Sequence, residues 1–184
     1  MKAPHTKAYH LLKILAQGGG ILVASLIAPT LPYILLRAYM RGTKFERHIF
    51  LRDLKRLQER KLLDLKKLPD GNIKIILRAR GKTKILEYDI ETLSLPIIKK
   101  WDRRWRLVMF DIPTKYNTAR DALRRKLRKL GFYQLQNSVF ISPYPCEKEI
   151  EFVCSFFGVR DYVLILPLTK FEGEEKLRKH FRLS

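Results

Sequence analysis

Arg106–Asp111 reads RLVMFD, and Leu107 to Phe110 within it are apolar without a break. A strand with one face in water alternates apolar and polar residues, so this run predicts a central strand covered on both faces. Downstream, Asn117 or Thr118 is placed to cap a helix that carries Ala119, Leu123, Leu127 and Leu130 on its buried face, with Gly131 as its stop. Phe132–Leu135 and Ser138–Ser142 read as short strands around Gln136-Asn137, and Pro143-Tyr144-Pro145 breaks the chain. A second helix is expected from about Glu147 to Phe157, and Tyr162–Leu168 as the last strand. The order β-α-β-β-α-β predicts a ferredoxin-like domain over residues 101–184. A short amphipathic tail, Glu172–Phe181, is expected to pack against an edge or a partner, and Trp101 and Trp105 to clamp the preceding linker.

Upstream of the run, Ser94, Leu95 and Pro96 mark a linker over 93–100, which leaves residues 1–92 as a separate domain. Its first helix is expected over Thr6–Ala16, with Leu11, Leu12 and Leu15 towards the core and Gly18-Gly19-Gly20 ending it. Residues 21–36, ILVASLIAPTLPYILL, carry no charge and contain Pro29 and Pro32. The stretch is shorter than the ~20 residues a membrane helix needs, and its prolines would break it, so a buried helix pair bent at Ala28–Pro32 is preferred over membrane contact. Phe45–Lys61 follows as an amphipathic helix with Phe50, Leu54 and Leu57 on one side and basic residues over much of the rest. Leu62–Leu65 and Ile73–Leu77 read as strands joined by a Pro69-Asp70-Gly71-Asn72 turn, and a helix from about Gly81 to Glu91 closes the domain. This is the layout of a winged helix-turn-helix, and the whole chain is expected to be α+β.

With 38 Lys and Arg against 18 Asp and Glu, the 184-residue chain has a net charge of +20. Its hydrophobic fraction of 46% excludes a disordered basic tail, and the charge favours a polyanionic partner. Double-stranded DNA is the partner expected, met by Lys44, Arg47, Arg52, Lys55 and Arg56 on the basic helix and by Lys74, Arg78, Arg80 and Lys82 at the hairpin and just after it. Arg120, Arg124 and Arg128 recur every four residues on the expected solvent face of a helix, a spacing that fits a phosphate backbone and equally fits pairing with Glu147, Glu149 and Glu151 of a neighbouring subunit.

Enzyme chemistry has few candidates. Asp111, at the end of the expected strand, either takes part in binding a hard divalent ion across a two-fold dimer or accepts backbone N–H bonds in the Pro113–Tyr116 turn. His5, His10, His48 and His180 are scattered, and Cys146 and Cys154 lack a metal or redox spacing. Cys154 is expected in the core. Gly18-Gly19-Gly20 lacks the Lys-Ser/Thr that a phosphate loop requires. No cofactor is expected.

WDRRWRLVMFDIP at 101–113, ARDALRRKLRKLGFYQLQNSVFISPYP at 119–145 and YVLILP at 162–167 resemble the middle domain of PaaX-type transcriptional repressors, which is itself similar to the small ferredoxin-like nuclease of CRISPR adaptation. The resemblance implies a cytoplasmic, homodimeric regulator whose amino-terminal winged helix binds operator DNA while the middle domain assists dimerisation. The family's last domain, associated with effector response, is expected to be missing, so no acyl-coenzyme A ligand is carried over. Through Asp111 and Gln136–Phe140 the resemblance extends to the nucleases, which implies as the alternative a Mg²⁺- or Mn²⁺-dependent nuclease acting through Asp111. Thr114-Lys115 stands where those relatives often add acidic residues.

Overall fold

The structure, a computed structural model, describes residues 7–25, 47–96, 98 and 100–183. It divides into two compact units, 1–92 and 93–184.

In unit 1, α1 (Lys7–Gln17) is followed by β1 (Ile21–Ser25), then α2 (Arg47–Glu59), β2 (Leu63–Lys67), β3 (Asn72–Leu77) and α3 (Ala79–Thr92). The strands form an antiparallel sheet in the order β1-β3-β2. Residues 21–25 are therefore a strand, which corrects the helix pair expected over 21–36; the rest of that segment lies outside the described residues. The local reason is visible in ILVAS, whose β-branched residues suit a pleated surface, and whose partner is a strand with the same need. The turn before it uses glycine at the two positions where φ is +79° and +83°, Gly19 and Gly20. Among the described residues no helix is long and apolar enough to cross a membrane.

β3 alternates cleanly: Ile73, Ile75 and Leu77 are buried while Asn72, Lys74 and Ile76 are half-exposed. The buried set meets Leu11, Leu12 and Leu15 of α1 and Phe50, Leu54 and Leu57 of α2 in one cluster. Helix α1 is further tied to α3 by a polar group of three side chains. The Tyr9 hydroxyl donates to Asp89, and Lys13 Nζ donates to the same Asp89 oxygen at 2.8 Å. Burial and the bond to Asp89 push the Tyr9 hydroxyl pKa up, and the bond to Asp89 raises that of Lys13.

Gly81 sits where α3 leaves the hairpin. A Cβ there would collide with the Leu62 carbonyl oxygen and lie 2.6 Å from Leu77 Cδ1, so only a hydrogen fits. Backbone cannot step aside as a flexible side chain would.

In unit 2, β4 (Trp105–Phe110), α4 (Asn117–Lys129), β5 (Tyr133–Gln136), β6 (Val139–Ser142), α5 (Glu147–Phe157) and β7 (Val163–Leu168) precede α6 (Glu174–Phe181). The sheet order β5-β6-β4-β7, antiparallel throughout, is that of a ferredoxin-like domain. On one face Val108, Phe110 and Phe140 are buried, as are Leu123 and Leu127 of α4 and Ile150 and Val153 of α5. On the other, Trp105 and Ile141 are buried with Leu177 of α6, and Trp101, Phe171 and Phe181 pack around them. The tail thus covers the sheet of its own unit, and the tryptophans, 5.2 Å between ring centroids, belong to that core. α4 begins at Asn117 after Tyr116 in the capping position, with no side-chain cap, so the expected cap by Asn117 or Thr118 is corrected.

Arg106 is buried, and its guanidinium grips the Asp102 carboxylate with two bonds, Nη1 to Oδ1 at 2.8 Å and Nη2 to Oδ2 at 2.6 Å. It also donates to the carbonyls of Arg104 and Pro143. A buried guanidinium needs this many acceptors. Cys146 and Cys154 are both fully buried, which pushes their thiols up to about 12 and about 11.

Two measurements check these contacts. Gly81→Ala should destabilise unit 1 by about 1–3 kcal/mol, read as faster amide hydrogen exchange in β2, β3 and α3; unchanged exchange there would contradict the tight packing. The Arg106 guanidinium holds the Asp102 carboxyl below the ordinary carboxylate range. Its contribution is complete above the unfolded-state value and is lost as the pH falls through the native one. Asp102→Asn should cost about 1–2 kcal/mol near neutrality and flatten the acid side of the stability profile, followed by the fluorescence of Trp101 and Trp105.

Candidate nucleic-acid interface

The described cations expected to meet DNA fall into three places in unit 1. On α2, Phe50, Leu54 and Leu57 are 2%, 1% and 2% exposed, which turns Arg52, Lys55 and Arg56 to the opposite, solvent-facing side. The spacing of the three apolar residues over two turns dictates this division. Lys44 lies outside the described residues. Arg47 is the first residue of α2, and its side chain lies outside them as well.

The hairpin β2–β3 carries the second group. Asp70 shapes its tip by accepting from the Asn72 backbone N–H at 2.9 Å and from Asn72 Nδ2 at 2.7 Å, an arrangement that closes the Pro69–Asn72 turn. Lys66 and Lys74 face each other across the ladder, and Lys66 and Lys67 are exposed. Sequence reasoning singled out Lys74 and passed over Lys66 and Lys67; their place one strand across from it was the available signal.

The third group begins α3. Arg80 and Lys82 are exposed. Arg78 differs from them, because its Nε donates to Asp64 Oδ2 at 2.7 Å. That ion pair is open to water and is a weak one, but it offsets one of the three positive charges at this corner.

In unit 2 the expected basic ladder on α4 takes another form. Arg124 donates through Nε to the Asn137 carbonyl at 2.8 Å and through Nη1 to Asp121 at 3.1 Å. Arg128 Nε donates to Gln134 Oε1 at 3.0 Å, and Arg120 has a buried Nε with no hydrogen-bond partner among the described residues. The three share one side of α4, as a four-residue repeat requires, but that side leans on the β5–β6 hairpin. Arg120 and Arg124 are half-buried and Arg128 is exposed, so Arg124 and Arg128 are held by the hairpin and the row is less open to solvent than expected. Arg125 and Lys129 occupy the more open positions.

Asp111 follows β4 directly. Its backbone N–H donates to the Tyr162 carbonyl at 3.0 Å, and the residue is exposed. The turn behind it is closed by the Tyr116 N–H on the Pro113 carbonyl, not by the Asp111 side chain. Among the described residues no three His, Cys, Asp or Glu side chains gather where a metal ion could be held. A single carboxylate does not fit the six or so oxygen ligands of Mg²⁺ or Mn²⁺, and no step through such an ion is derived for one chain. The buried thiols, with their pKa values pushed up, are unsuited to nucleophilic chemistry.

Unit 2 is therefore a ferredoxin-like domain with an added carboxy-terminal helix and no assembled catalytic cluster among its described residues. Residues 98–180 match the family model described as the PaaX protein central Cas2-like domain. Unit 2 thus carries a domain similar to the central, Cas2-like domain of PaaX proteins. No curated protein matches the chain.

Proposed function

We propose that the protein is a dimeric, DNA-binding transcriptional regulator of the cytoplasm, with unit 1 as its winged helix-turn-helix and unit 2 as its dimerisation domain. The observation that carries this reading is α2: a helix buried along Phe50, Leu54 and Leu57 that offers Arg52, Lys55 and Arg56 to solvent. A helix of these proportions fits a major groove, where arginines reach base edges and lysines reach phosphates. Among the described residues, the order α1-β1-α2-β2-β3, with β2–β3 as a basic hairpin after the helix, supports the winged form. Lys66, Lys67, Lys74, Arg80 and Lys82 would add phosphate contacts, whereas Arg78 is engaged by Asp64.

Self-association is supported by β7. It is an edge strand, and Leu164 and Leu166 on it are 60% and 40% exposed. They stand beside Met109 and Leu107 of β4 on one face, beyond the part of the sheet that α6 covers. Exposed apolar side chains on an unpaired edge are the kind of surface that a second copy buries.

Fluorescence anisotropy against genomic duplexes tests the proposal. Binding should favour some fragments over bulk DNA by about 10³ or more, and Arg52→Ala with Lys55→Ala should lower both affinity and the salt slope, the latter by about one per lost phosphate contact. Equal weak affinity for every duplex at low salt would overturn it. The same mixtures, incubated with Mg²⁺ or Mn²⁺, separate the nuclease alternative: no cleavage is expected, and cleavage abolished by Asp111→Ala would replace the regulator reading with catalysis.

A further inference from the structure

Unit 1 contains a cleft of about 250 Å³ among α1, α2 and α3. Its walls are apolar or aromatic, from Ala8, Tyr9 and Leu12 of α1, Leu57 and Leu62, and Tyr88 of α3. Arg60, Leu62 and Lys84 are shared with a second, more polar notch of about 160 Å³, whose other walls are Arg80, Thr83 and Glu87. The two spaces adjoin and differ in character, one apolar and one cationic. Together they lie near the small end of ligand sites, roughly 300–1,000 Å³.

The polar groups around them are not equivalent. Lys84 Nζ donates to Glu87 at 2.5 Å and lies 5.0 Å from the centre of the Tyr88 ring, so its charge is already met. Thr83 donates to the Ala79 carbonyl. Arg60 and Arg80 have no side-chain hydrogen bond or ion pair among the described residues. Two guanidinium forks thus face a space whose continuation is apolar. Asp53 and Arg56 complete the rim of the cleft. With Asp53 and Glu87 close by, a doubly charged group would meet repulsion, whereas one carboxylate matches the fork geometry of Arg60 and Arg80.

We propose that this paired cleft and notch bind a small amphipathic carboxylate, its carboxylate held by Arg60 and Arg80 and its apolar body lying between Tyr9 and Tyr88 over Leu12 and Leu57. The site shares Arg56 and Arg80 with the proposed DNA-contacting set, and because it is measured without DNA its test is distinct from that of the regulator reading.

Sodium octanoate is the probe, added below its micelle concentration to the full chain and followed by amide chemical shifts, with 1-octanol and octylamine as controls. Saturable shifts are expected at Tyr9, Leu12, Arg60, Lys84 and Tyr88, with neither control matching octanoate. Arg60→Gln combined with Arg80→Gln should weaken octanoate binding by about tenfold or more, as should Ala8→Leu, which narrows the cleft and keeps both arginines. The arginine variant alters exposed positions and preserves the fold, so it decides the matter even if Ala8→Leu fails to fold. No saturable shift, equal binding of 1-octanol, or octanoate binding unchanged in the arginine variant would each overturn the proposal.

Discussion

Trp105–Phe110 has apolar side chains on both of its faces, and a strand of that kind cannot rest at a surface. Val108 and Phe110 need cover on one side, Trp105 and Leu107 on the other. Helices α4 and α5 answer the first requirement, with Leu123, Leu127, Ile150 and Val153 buried. Helix α6 answers the second through Leu177, but it reaches only part of the face. What it leaves, Leu164 and Leu166 on an edge strand, is the apolar surface on which self-association was argued. The same strand that organises the core therefore also produces the exposed patch.

Arg106 shows how the start of that strand is held. Its side chain lies on the buried face, where a charge unpaired would be strongly unfavourable, and the chain bends back before the strand so that Asp102 meets it with both oxygens. Trp101 and Trp105 then pack together over the other face. The run WDRRWR is accordingly a structural signature: its acid and its last arginine form one pair, its tryptophans join one core, and Arg103 and Arg104 remain exposed between them.

Charge alone ranks the basic residues as equals, and the packing sorts them. Arg52, Lys55 and Arg56 face solvent because the opposite side of their helix is buried. Arg78, Arg106, Arg124 and Arg128 are engaged by acceptors within their own units. A net charge of +20 thus overstates what a polyanion would meet, and the groups that matter are those without an intramolecular acceptor. Arg60, on the rim of an apolar cleft, and Arg80, in the polar notch adjoining it, belong to that smaller set.

The local pattern determined most of the element order. The unbroken run at 107–110, the apolar spacing on α2 and α4, the glycine stop at Gly131 and the Pro69–Asn72 turn all express short-range physics: side-chain period, φ preference and turn chemistry. The strand at 21–25 was not legible, because a short uncharged run satisfies a buried helix and a buried strand alike, and only pairing with β3 decides between them. The same holds for the sites. Lysines and arginines could be counted in the chain, and Arg52, Lys55 and Arg56 followed from helical period. Which arginine on α4 would lean on a hairpin, where Asp64 would find its partner, and why Gly81 tolerates no side chain depended on distances between residues far apart in the chain. Those distances exist only once the sheets and helices have packed, because packing brings an acceptor or a backbone oxygen to within a few ångströms of a residue whose neighbours in sequence say nothing about it.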